Sequence, residues 1–171
     1  MKKKIGILLA FSALLPACQN ATQEKQDQTQ AETGTYRLAP EAIKALSYTD
    51  YVLDAKATQT LSGWQKFTEL ENHIKTFRQA DFSFLNDNHE VLTAFLKSLQ
   101  ETLPEKINTP AVAARLKVLE NAFLKLEDQL MRANAKENEL LTAVKEVLNA
   151  YANVKLQINK KFEKEAQQIT K

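Results

Sequence analysis

The sequence predicts an all-α fold: an elongated antiparallel helical hairpin or bundle with coiled-coil-like packing, or alternatively a compact four- or five-helix bundle. Three observations point there. Only three Gly and four Pro occur in 171 residues, too few for a sandwich or barrel built on many tight turns. From Pro40 onward apolar residues recur at three- and four-residue spacing, the period of a helix face. After Pro110 they settle into a heptad register. The chain is 44% hydrophobic and 26% charged, so it can bury a core. Its length suits one ordinary domain. A single Cys excludes a disulfide framework or a cysteine zinc site within one chain. The formal charge of +2 is too small to suggest nucleic-acid binding.

The N-terminus has its own logic. Met1 is followed by Lys2, Lys3 and Lys4, then by the apolar run Ile5 to Leu15. Eleven residues fall short of the ~20 that a membrane-spanning helix needs. The basic start, apolar middle and small residues before a cut match a secretory signal instead. Leu15-Pro16-Ala17-Cys18 resembles the lipobox of bacterial lipoproteins, and the resemblance covers the first 18 residues. It implies a diacylglyceryl thioether on Cys18, cleavage after Ala17 and acylation of the new amine. Two or three acyl chains anchor a protein stably, where one does so only marginally. On this reading residues 1–17 are a discarded signal peptide, and Cys18 is a lipid attachment point rather than a catalytic thiol. Removing residues 1–17, with their three lysines, from 23 Lys+Arg against 21 Asp+Glu leaves a formal charge of −1. Gln19 after the cysteine, by analogy with proteobacterial lipoprotein sorting, points to the outer membrane, on its periplasmic face or at the cell surface.

Residues 19–35 contain five Gln, no large apolar residue and Gly34. Such a segment cannot bury enough surface to fold, so 18–35 are expected to form a lipidated, disordered polar tether. Seventeen flexible residues reach ~20–25 Å on average. Residues 36–171 then form one helical domain.

Pro40 suits the first position of a helix, where its missing N–H costs nothing. Ile43, Leu46, Leu53, Ala57, Leu61, Trp64, Phe67, Leu70, Ile74 and Phe77 continue the helical spacing. They predict one amphipathic helix over 40–80, or two meeting near Gly63. Asp81 to Asn88 interrupts the pattern. Asp87 and Glu90 resemble a capping box, starting a helix that carries Leu92, Phe95, Leu96, Leu99 and Leu103 and stops at Pro104. Thr109 and Pro110 are a cap and first residue for the next helix.

Beyond Pro110 the a/d positions run Val112, Leu116, Leu119, Phe123, Leu126, Leu130, Ala133, Glu137, Leu140, Val144, Val147, Tyr151, Val154 and Ile158. Only Ala133 and Glu137 are not large and apolar. With no Gly or Pro in this stretch, the simplest reading is one helix over 110–168, folded back along the earlier ones; the alternative is a turn at Asn134–Asn138. Ala113, Ala122, Leu141, Ala143, Leu148 and Ala150 widen the stripe beyond what a two-stranded coil needs, so it should meet more than one helix or a partner chain.

Chemistry-bearing patterns are sparse. Glu69 and His73 share a helix face at i,i+4, but neither the Glu-x-x-His pairs of di-iron bundles nor a His-Glu-x-x-His motif occurs, and His89 stands apart. Gly34 and Gly63 are isolated, so there is no phosphate-cradling loop, and no G-x-S-x-G elbow is present. Phe82, Phe84 and Leu85 place three apolar side chains in a connection; they serve either as a partner-docking tip or, the favoured reading, as a plug folded between helices. Trp64 lies on the apolar stripe and reads as core. The Lys/Glu-rich end from Lys160 to Lys171 reads as a solvated helix terminus.

The expectation is a lipid-anchored, all-helical protein of the bacterial cell envelope, acting as a scaffold, spacer or protein-interaction module. It would be no enzyme and would need no cofactor or metal. Its partners would be the membrane, through the N-terminal lipid, and a protein or a second copy of itself, with no nucleic acid. The alternatives are an envelope bundle that binds a small ligand or metal, and an immunity-type lipoprotein that blocks a toxin.

Overall fold

A computed structural model describes residues 38–86 and 89–169, all of them within the unit Glu32–Lys171. Its elements are α1 (Pro40–Lys44), α2 (Ala55–Leu61), α3 (Gln65–Phe77), α4 (Ser83–Asn86), α5 (His89–Glu101), a 3-10 turn (Glu105–Ile107), α6 (Pro110–Met131) and α7 (Glu137–Ile169). The protein is all-α: no strand occurs among the described residues. No helix among them is long and apolar enough to cross a membrane. The lipobox, Cys18, the polar tether and the Asp87 cap lie outside the described residues.

The single helix expected over 110–168 is two, as the alternative turn near Asn134–Asn138 allowed. α6 ends at Met131, and α7 starts at Glu137 after a reversal over residues 132–136. The two helices run antiparallel, and the Lys125 ammonium of α6 lies 2.7 Å from the Glu146 carboxylate of α7. The chain turns where the seam weakens: Ala133 and Glu137, the two small or polar a/d positions, are exposed at the reversal, while Ala135 between them is buried. The register survives because both arms of an antiparallel hairpin turn one apolar stripe toward each other, whether or not a turn lies between them. Val112, Leu116, Leu119, Phe123 and Leu126 are buried on one arm; Leu140, Val144, Val147, Tyr151, Val154 and Ile158 are buried on the other.

The helix expected over 40–80 is likewise divided. Residues 46–54 are non-helical; the run Ser47-Tyr-Thr-Asp-Tyr-Val52 is poor in helix formers. Asp54 then caps α2 by accepting the Ala57 N–H at 2.6 Å. α2 and α3 part at residues 62–64, near Gly63 as one reading allowed. Glycine is not required there, since an added Cβ would meet nothing within 4 Å. The break follows instead from Trp64, which is buried, donates its indole N–H to Thr102 Oγ1 at 3.0 Å and stacks on Phe67. α3 stops in a Schellman arrangement: the Asp81 N–H donates to the Thr76 carbonyl and the Ala80 N–H to that of Phe77, both at 3.0 Å. Ala80 holds φ 60°, a left-handed conformation usually given to glycine.

α6 begins as its sequence dictates. Thr109 Oγ1 accepts the Val112 N–H at 3.2 Å, with Pro110 at the first position. The four longer helices, α3, α5, α6 and α7, enclose the core. Phe77 of α3 meets Phe123 of α6 at 5.5 Å, and Phe67 of α3 meets Tyr151 of α7 at 6.1 Å. α7 has 33 residues against 22 in α6, about 50 Å against 33 Å. Its extra length is covered by α2, where Lys56 lies over the Phe162 ring, and by the 46–54 segment. The wide stripe thus packs against several helices of its own chain.

Candidate functional site

Residues 46–54 cross α7 as a strap. Along α7, Tyr151, Lys155 and Asn159 recur every four residues and so share a face. The Lys155 side chain is only 10% exposed, with its stem along the core and its ammonium over the Tyr151 ring at 4.6 Å. Its partner is the Asp50 carboxylate of the strap, at 2.6 Å from Oδ1. The other oxygen, Oδ2, accepts from Arg78 Nη2 at 2.7 Å, and Arg78 in turn lies over the strap's Tyr48 ring. Burial pushes the Asp50 carboxyl up, but the hydrogen bonds and charges of Lys155 and Arg78 outweigh it and hold the carboxyl below the usual aspartate value.

Asn159 grips the strap's backbone. Its Oδ1 accepts the Asp54 N–H at 3.0 Å, while its Nδ2 donates to the Val52 carbonyl at 2.8 Å. One amide side chain thereby satisfies a donor and an acceptor that an extended segment would otherwise leave to water. The strap contributes little apolar burial: Leu46, Tyr48 and Leu53 are partly buried, and Val52 is 85% exposed. Grooves flank it. One of about 250 Å³ is lined by Ile43, Tyr48, Arg78 and Leu148. The other, of about 390 Å³, is lined by Leu53, Leu61, Phe67, Glu71 and Lys155. At its edge the Tyr151 hydroxyl donates to Glu71 Oε1 at 3.1 Å. Burial, then the Glu71 charge, raise the phenol's pKa far above its ordinary value, so Tyr151 stays a proton donor.

The residues singled out from the sequence lie elsewhere. Phe82 and Leu85 are buried, and Phe84 stacks on His73 at 3.6 Å and meets Phe95 edge-on at 5.4 Å. The three fill the space between α3, α5 and α6 and offer no protruding apolar tip. Glu69 is ion-paired with Lys66 at 2.6 Å, while the His73 ring lies between Phe84 and Phe95. Burial lowers the His73 pKa, with Glu69 raising it and Lys66 lowering it, so this imidazole is neutral at pH 7. His89 Nδ1 lies 2.8 Å from Oε2 of Glu127, a carboxylate only 5% exposed, whose other oxygen has no hydrogen-bond partner. Among the described residues no group of three or more His, Cys, Asp or Glu converges as a metal site. A third groove, of about 350 Å³, runs along α6 and α7 between Val118, Asn121, Lys125, Glu146 and Asn153.

Sequence reasoning missed Asp50, Arg78, Lys155 and Asn159. One signal pointed to two of them: Lys155 and Asn159 each follow a buried seam residue, Val154 and Ile158, placing polar groups on the flank of an apolar stripe. Compared with protein-family models, curated proteins and solved structures, the chain matches none.

Proposed function

We propose that this protein is a lipid-anchored helical module of the bacterial cell envelope, acting as a non-catalytic scaffold, spacer or protein-interaction body held off the outer membrane by a polar tether. The observation that carries this reading is the sequence Leu15-Pro16-Ala17-Cys18 behind three lysines and an eleven-residue apolar run. Residues 19–35, polar and glutamine-rich, give the body the reach to meet partners away from the lipid surface. The all-α body with its polar-clamped strap is consistent with an interaction module.

Cys18→Ala tests the reading directly. The variant should fail to incorporate a labelled fatty acid and should either accumulate as an uncleaved precursor or leave the membrane fraction. Wild-type labelling of the variant would refute the anchor.

A further inference from the structure

We draw no further inference here: the strongest candidate, the groove of about 350 Å³ along the outer face of α6 and α7 between Val118, Asn121, Lys125, Glu146 and Asn153, carries none, because Lys125 and Glu146 pair with each other across it and nothing in the structure shows what covers it.

Discussion

Asp50 and Lys155 form an ion pair whose members sit in different surroundings, and that asymmetry makes a sharp prediction. The Lys155 side chain is 10% exposed, whereas those of Asp50 and Arg78 are each 39% exposed. Removing one partner of a fully buried pair costs about 3–5 kcal/mol, because the remaining charge is stranded without solvent. Asp50→Asn strands Lys155 in this way, but water reaches the strap side, and solvent screening reduces the loss to about 1–2 kcal/mol. Lys155→Met behaves differently. It keeps most of the buried stem and the contact with the Tyr151 ring, and leaves Asp50 bonded to Arg78 and water, so its cost should stay within about 0.5 kcal/mol. In the double variant no buried ammonium is left to strand, so most of the Asp50→Asn loss should be recovered, giving a coupling of about 1 kcal/mol. Urea unfolding followed by helical circular dichroism measures all three, and Asp50→Asn should also lower Tm by about 3–6 °C. Because the folded-state carboxyl lies below its unfolded value, the stability it confers is complete above the unfolded pKa and is lost as pH falls through the folded one. The gap between wild type and Asp50→Asn should therefore begin to narrow below about pH 4 and close as pH falls through the lower folded-state value. A Lys155→Met variant as destabilised as Asp50→Asn, or additive losses in the double variant, would refute the stranded-cation reasoning.

Three further outcomes are expected. Phe123→Ala empties a fully buried ring site against Phe77 and should cost about 3–5 kcal/mol in the same urea assay. Ala80→Gly relieves a left-handed alanine at the end of α3 and should stabilise by about 1 kcal/mol, read as a raised urea midpoint with unchanged slope. Spin labels at residues 121 and 153, which line one groove across α6 and α7, should report a separation below about 20 Å in the hairpin; a single helix through residues 132–136 would put them about 48 Å apart.

How far the fold could be read in advance varied along the chain. The cap at Thr109-Pro110 and the buried a/d positions of α6 and α7 follow from local chemistry and a fixed period, and both are present. The reversal between the two helices was visible as a weakness at Ala133 and Glu137 and was the alternative turn at Asn134–Asn138, not the simplest reading. Heptad spacing reports which face is apolar, not whether the axis continues. The end of α3 carried no glycine to mark it, since Ala80 takes the left-handed conformation itself. In the strap, Leu46 and Leu53 kept a helical spacing by coincidence. The candidate site was largely illegible, because Asp50 meets Arg78 and Lys155 across 28 and 105 residues of chain, and no local pattern relates positions so far apart.

By itself the sequence determined the helical class, the apolar stripe of each long helix and the Thr109-Pro110 start of α6. Each of these depends on residues within a few positions of one another, where rise per residue and hydrogen-bond geometry leave little choice. It also carries the lipobox and tether pattern on which the anchoring proposal rests. Tertiary structure alone decided that the final seam folds into a hairpin, that Phe82, Phe84 and Leu85 turn inward, and that residues 46–54 lie as a strap across α7. Those outcomes depend on which distant surfaces meet. The strap is held in place because Asn159 bonds its backbone at Val52 and Asp54 and Lys155 and Arg78 hold the Asp50 carboxylate, groups that folding alone brings together.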